Sequence, residues 1–324
     1  MALQVFQGLA ARMYSLLGKG VHGNADSHGG ALEAVVMSVV EDVYLNQIPN
    51  IRPDIIWDTC RLEADNGDFF YNIWTKDNGF AAIQHSKLEM LFDRYSFWGL
   101  CFSPEMCYTR CFLLSPGVDT DSFVEEHAPY KRGEYEYSVA EVRVGEKTYA
   151  FSTMLPDAVR EQYERALNGL FLSGGVITQA VDRFFPLALT AGQAVSLQEG
   201  DVCMLANFRQ RYLDLAVISR LNGFYVPVCS SVVDLVKDIQ INAEEVASGV
   251  MLLIQEASRQ YRLDYPQHCV FICPEQERFM SDFTEIMFSC LDGLKRMFRE
   301  SVSCLKDDVP AIRGFLTEGD YYGK

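Results

Sequence analysis

The sequence predicts a two-domain protein of mixed α/β architecture, and three observations carry that reading. The chain has 324 residues, more than one hydrophobic core usually serves. Hydrophobic residues make up 49% and charged residues 22%, enough apolar material for a packed interior, which excludes general disorder. Strand-like and helix-like runs alternate, and they do so in the same order twice: a strand meander, a helix, a further strand.

Residues 2–17 open the chain with Leu3, Phe6, Leu9, Ala10, Met13, Leu16 and Leu17 at helical spacing, an amphipathic helix. The five glycines between Gly18 and Gly30 predict a flexible linker, so residues 1–30 form an appendage. Residues 31–45 fit two readings: the spacing of Leu32, Val35, Val36, Val39, Val40 and Val43 suits a helix, and the valine content suits a strand. The first domain is read over residues 31–190. Segments 55–64, 69–75 and 79–84 are strands separated by Asn66-Gly67 and Asn78-Gly79, dipeptides that favour tight hairpin turns. A short helix over Ser86–Tyr95 follows. The strands Phe97–Ser103 and Cys107–Ser115 are joined around Pro104-Glu105.

A helix–hairpin–helix insert is expected at about residues 119–172. It comprises a helix Asp119–His127 with Asp or Thr at its N-cap, a hairpin Glu134–Val144 with Thr148–Leu155, and a helix from Pro156 that Gly174-Gly175 ends. The second domain is read over residues 191–324. Strands Val202–Phe208, Tyr212–Ser219 and Phe224–Ser230 form a meander. A helix from Ala243 to Arg262 buries Val246, Val250, Leu253, Ala257 and Tyr261. The strand Cys269–Cys273 precedes a helix from Gln276 to about Cys304.

Charge narrows the function classes. Lys and Arg total 28 against 44 Asp and Glu, a formal net charge of −16, which disfavours nucleic acid and anionic membrane surfaces as direct partners. The sequence contains no run of about 18 apolar residues that would span a bilayer, and its first residues do not read as a secretory signal, so a cytoplasmic location without membrane insertion is expected. The ten cysteines lie in apolar segments and read as reduced, buried thiols. The pairs Cys107/Cys111 and Cys269/Cys273 have a spacing longer than structural zinc prefers. The five histidines form no catalytic constellation, and the paired carboxylates Glu125-Glu126 and Glu244-Glu245 open helices, where negative charge is favourable anyway.

One stretch resembles a known family. Phe102-Ser103-Pro104-Glu105-Met106-Cys107-Tyr108-Thr109-Arg110-Cys111-Phe112-Leu113-Leu114, then Phe123-Val124-Glu125-Glu126, then Val159 to Leu170 with Gly174, Ile177 and Thr178, and Glu256-Ala257-Ser258-Arg259-Gln260-Tyr261 are similar to the actin-like family of PilM, of type IV pili, and the cytoplasmic domain of GspL, of type II secretion. The similarity covers roughly residues 90–275. It implies an actin-like, ribonuclease H-like two-domain fold and a non-catalytic scaffold of an inner-membrane assembly platform. The implied partner is the cytoplasmic tail of a single-span inner-membrane protein, which the chain would link to an assembly ATPase while lying peripheral to that membrane.

The family's nucleotide motifs are degenerate here. Where the second domain's phosphate turn should carry Asp and Gly, the chain reads Leu205-Ala206-Asn207-Phe208-Arg209-Gln210-Arg211, and Ala206, Asn207 and Phe208 are taken as the altered turn. The adenine-facing turn reads Cys273-Pro274-Glu275-Gln276 instead of a glycine pair, and Asp65-Asn66-Gly67-Asp68 is a candidate first phosphate hairpin. No cofactor is therefore expected. The alternative is an actin-like ATPase or kinase-type enzyme with a divergent site, which would bind ATP and magnesium. The insert's aromatics Phe123, Tyr130, Tyr135 and Tyr137 have two readings, the core of the insert or the wall of a partner-binding groove. The resemblance implies the groove.

Overall fold

A computed structural model describes residues 52–64, 66–236, 238–275, 283–299 and 301–321. The N-terminal helix, the glycine linker, residues 31–45 and Asp65 lie outside the described residues. The chain forms the same sheet twice. In the first, β1 (Ile55–Glu63), β2 (Phe69–Thr75), β3 (Gly79–Gln84), β4 (Phe97–Phe102) and β8 (Val176–Asp182) lie in the order β3-β2-β1-β4-β8. The hairpin strands pair antiparallel, and β4 runs parallel to both β1 and β8. In the second, β9 (Val202–Arg209), β10 (Tyr212–Leu221), β11 (Phe224–Asp234), β12 (His268–Cys273) and β13 (Val302–Lys306) lie in the order β11-β10-β9-β12-β13, with the same pattern of directions. This duplicated order and direction is the actin-like arrangement.

Local chemistry explains the meanders. Gly67 and Gly79 turn the first two hairpins at φ 79° and 71°, and Asn222-Gly223 turns the β10–β11 hairpin at φ 51° and 86°, values that favour Asn and Gly. The central strand β9 is buried at every position, whereas β13 at the sheet edge is half to fully exposed. Cys304 lies on β13, so the helix expected from Gln276 to Cys304 is shorter. Its described part is Thr284–Phe298, and the chain leaves it at Arg299, where φ turns positive at 51°.

The insert also differs from expectation. The strand after Pro104, β5 (Tyr108–Leu114), leaves the first sheet and joins a small sheet of its own, β5-β7-β6, with β6 (Tyr135–Val144) and β7 (Lys147–Pro156). Alternation gives this sheet two apolar faces. Cys111, Val142, Tyr149 and Phe151 pack into the second domain's core, while Phe112, Leu114, Val139, Ala150 and Met154 pack around Val124 of α1 (Thr120–His127). The Asp119 carboxylate caps α1 by accepting from the Ser122 N–H at 2.9 Å. The helix after Pro156 breaks at Leu167 into α2 (Asp157–Ala166) and α3 (Asn168–Leu172). Its Tyr163, Leu167 and Leu170 pack against Trp57, Tyr71 and Leu100 on the outer face of the first sheet.

Two helices between the sheets were not legible in the sequence. α4 (Phe184–Ala194) follows the first sheet but packs on β9–β12 of the second, and α7 (Pro310–Tyr321) follows the second sheet but packs on β1, β2 and β4 of the first. The two helices cross on each other so closely that a Cβ on Gly314 would lie 2.0 Å from the Pro186 carbonyl oxygen. α4 is buried over most of its circumference, which removes the periodic signal by which an amphipathic helix is read. The remaining helix, α5 (Ile239–Tyr261), starts at Asp238, whose carboxylate accepts from the Gln240 and Ile241 N–H groups, and it packs on α6 (Thr284–Phe298) and β11.

Candidate functional site

The two faces of β1 border different spaces. Alternation sends Asp58, Cys60 and Leu62 toward the cleft between the two sheets, while Trp57, Thr59, Arg61 and Glu63 line a cavity on the sheet's outer face.

The cleft is filled by charge. Arg183, at the start of α4, reaches both Asp58 oxygens from Nε at 3.1 and 3.2 Å and donates from Nη1 to Asp214 of β10 at 2.8 Å. Arg209, at the end of β9, donates to both Asp214 oxygens from Nε and Nη2 at 2.8 and 2.7 Å and pairs with Glu105 of the β4–β5 turn. The Asn207 amide donates to Asp214 at 2.9 Å. Asp58, Arg183, Asp214, Arg209 and Asn207 are all buried. Burial pushes the Asp214 carboxyl up, and the Arg209 and Arg183 guanidinium groups outweigh it, so it sits below the usual carboxylate range. Beside this cluster, burial raises the Asp182 carboxyl to about 6, although Thr109, the Phe184 N–H and Cys107 bond to it.

Two of the segments that the resemblance assigns to a nucleotide border the cleft, the end of β9 with its turn and the turn after β12. Pro274 follows β12, Asp307 and Asp308 follow β13, and Asn207, Phe208 and Arg209 end β9 ahead of Gln210 in the β9–β10 turn. About 30 Å³ of space is left among them, against about 300–1,000 Å³ for a small-molecule pocket. Ala206, Asn207 and Phe208 are not in a turn. All three lie on β9, paired with Leu215, Asp214 and Leu213 of β10. The turn itself is Gln210-Arg211, with Gln210 at φ 56°. Ala206 and Phe208 are core residues, and only Asn207 faces the charged cluster.

The cavity on the other face measures about 800 Å³. β1, β2, the 3-10 helix His85–Leu91, the β4–β5 turn and α2 form its walls on one side, and Arg209, Gln210, Arg211 and Tyr212 of the β9–β10 turn form the other. Six aromatic rings line it, Trp57, Phe69, Tyr71, Phe92, Tyr163 and Tyr212, among charged side chains that include Arg61, Glu63, Glu89 and Arg211. The Tyr163 hydroxyl donates to Thr59 Oγ1 at 2.9 Å, and the Tyr71 hydroxyl lies 3.2 Å from His85 Nδ1. Arg61 has no carboxylate partner among the described residues and stacks its guanidinium 4.8 Å from the Phe69 ring centre.

The insert's aromatics pack along the rim of its own core. Phe123 stacks on His127 at 4.1 Å and meets Phe112 edge-on, and Tyr108, Tyr130, Tyr135 and Tyr137 form a chain of ring contacts at 5.7 to 6.4 Å. Phe123, Tyr130, Tyr135 and Tyr137 are partly buried against Val124, Val139 and Met154. Nine of the ten cysteines are buried, and Cys304 is exposed. Burial raises the thiols of Cys107, Cys111 and Cys269 well above their usual value. Among the described residues no group of three His, Cys, Asp or Glu side chains is placed to hold a metal ion, and no helix is long and apolar enough to cross a membrane.

The charged cluster and the cavity's second wall were not read from the sequence. The available signal was a lone charge inside an apolar strand: Asp58 in Ile-Ile-Trp-Asp-Thr-Cys and Asp214 in Tyr-Leu-Asp-Leu-Ala-Val. Such a residue must find a partner when buried.

No protein-family model matches the chain, and no curated protein matches its sequence. Solved structures do. The chain is similar to a PilM–PilN type IV pilus biogenesis complex at a TM-score of 0.53 and 10% identity, over 85% of this chain and 100% of that one. It is similar at a TM-score of 0.42 and 10% identity to the cytoplasmic domain of EpsL, an inner-membrane component of the type II secretion system of Vibrio cholerae, over 82% of this chain and 94% of that one. A Bacteroides thetaiotaomicron protein with an actin-like ATPase fold follows at 0.43 and 10% identity, over 85% and 99%. The likeness to PilM bears out the actin-like fold.

Proposed function

We propose that the chain is a non-catalytic scaffold of a type IV pilus or type II secretion-like assembly platform, and that it takes the short tail of a membrane-anchored partner into the aromatic cavity beside α2. The observation that carries this is the contrast between the two faces of β1. The cleft that would hold a nucleotide is occupied by Arg183, Asp214 and Arg209, whereas the outer cavity of about 800 Å³ is open to a ligand. A hydrolytic site would need a glycine to admit phosphate and a carboxylate to hold metal and water, and the turn here is Gln210-Arg211. The neighbour PilM, solved as a complex with PilN, supports a protein as the occupant. Aromatic walls suit that role because they offer large contact area at low entropic cost. The net charge of −16 disfavours direct adhesion to anionic lipid, so work at a membrane calls for an anchored partner.

Photo-crosslinking tests the reading. Ala166, exposed on α2, lines the cavity. A photoreactive residue at 166 should capture one membrane-anchored protein through a segment outside its span, and the same residue at exposed Ser231 should not. Identical products from both positions would refute the cavity as the docking site.

A further inference from the structure

The cavity exists only where the two domains meet. The first domain supplies β1, β2, the 3-10 helix and α2, and the second closes it with the β9–β10 turn. That turn is held in place by the Gln210 amide, which accepts from the Glu63 N–H at 2.9 Å and donates to the Glu63 carbonyl at 2.6 Å. Arg211 pairs with the Glu63 carboxylate at 3.3 Å. Arg209, in the same wall, pairs with Glu105 and binds Asp214 through two nitrogens. The cavity wall and the buried charged cluster therefore share one residue, and both depend on the domains being closed.

Trp57 is 4% exposed and lines the cavity, yet its indole Nε1 has no hydrogen-bond partner among the described residues. A buried N–H left unpaired is costly.

Resting on the reading of this cavity as the tail's site, we infer that domain closure and tail binding are one coupled equilibrium: the tail binds where the β9–β10 turn is docked against Glu63 and Glu105, and holds the two domains together. Coupling of this kind is reciprocal. A change to the charged cluster that never touches the cavity should weaken binding there, and an occupant should steady the cluster.

Asp214 and Arg183 serve the test, because both belong to the cluster and neither lines the cavity. The probe is 1-anilinonaphthalene-8-sulfonate, an aromatic anion matched to the ring-lined walls and to Arg61, titrated by fluorescence into the full chain. Ala166→Trp, which fills the cavity from α2, should abolish probe binding. Asp214→Asn and Arg183→Lys should each weaken it at least about fivefold, and the saturating probe should raise the melting temperature of the wild type but not of Ala166→Trp. Loosened cores bind this dye more strongly, so a loss of affinity is not mimicked by unfolding, and near-ultraviolet circular dichroism verifies the fold of each variant. Loss in Ala166→Trp with unchanged affinity in a folded cluster variant would overturn the coupling and leave the cavity reading standing. Unchanged affinity in Ala166→Trp would overturn both.

Discussion

Asp214 is the carboxylate on which the interdomain cluster turns, and its removal is the sharpest test of the fold. It accepts four hydrogen bonds of 2.7 to 2.9 Å, from Arg183 Nη1, Arg209 Nε and Nη2, and Asn207 Nδ2, at 0% exposure. Asp214→Ala leaves Arg183 with Asp58 alone and Arg209 with Glu105 alone, so two buried cations share two carboxylates that sit on the first domain only. Breaking a buried pair by removing one partner costs about 3–5 kcal/mol, because the remaining charge is stranded. At about 2 °C per kcal/mol for a chain this large, the melting midpoint should fall by about 6–10 °C. Differential scanning calorimetry at pH 7 measures it. Asp214→Asn, which keeps the shape and an acceptor, should lose less. Glu134→Ala, which removes an exposed pair with Lys131, is the control and should leave the midpoint in place. A midpoint for Asp214→Ala within 2 °C of wild type would refute the reasoning and mark the cluster as energetically neutral.

Further outcomes are expected. Acid stability should carry two opposed signatures. Asp214, with its folded pKa depressed, contributes stability that is present above about pH 4 and lost as pH falls through its folded value. Asp182, raised to about 6, does the reverse: stability declines as pH rises from about 4 to about 6, then levels off, so Asp182→Asn should flatten that decline in denaturant titrations. Gly314→Ala should destabilise by at least about 1–3 kcal/mol, since the new Cβ meets backbone at Pro186 rather than a movable side chain; a midpoint equal to wild type would show that the helix crossing is slack. Purified chain with ATP and magnesium should release no phosphate above background. Release that disappears on substituting Asp68 in the β1–β2 turn would show that the cleft opens to nucleotide. Tyr135→Ala and Tyr137→Ala should lower stability rather than partner capture, as both rings pack on the insert's core; lost capture in a fully stable protein would return the docking site to the insert.

The parts legible in the sequence were those encoded locally. Asn66-Gly67, Asn78-Gly79 and Asn222-Gly223 mark hairpins because the turn chemistry resides in two adjacent residues. The helix α5 was legible from the spacing of Val246, Val250, Leu253, Ala257 and Tyr261, all buried in the structure. What escaped was set by distant partners. β5 and β4 look alike as strands, and only pairing with β7 assigns β5 to the small sheet. Cys304 continued an apolar text, but β13 takes it because β12 offers a parallel edge. Asp58, Arg183 and Asp214 each look like an isolated charge, and their meaning appears only when two strands and a helix start bring them within 3.2 Å. The Gln210-Arg211 turn gave no sign that it would close a cavity beside Glu63, 147 residues away.

The crosswise exchange of α4 and α7 has a consequence for synthesis. The inner face of the first sheet, with Ile56 and Cys101, packs in one cluster with Ala311, Ile312 and Phe315 of α7. On a ribosome that face is made more than 200 residues before the helix that covers it, while α4 waits for β9–β12 to exist. Non-local contacts of this span slow folding and leave apolar surface open to association. Neither half of the chain is then a unit that can be cut free: a fragment ending near residue 195 would expose one side of α4 and the bare side of β1 and β4 together, and would be expected to collect in aggregates unless the second half is supplied alongside it.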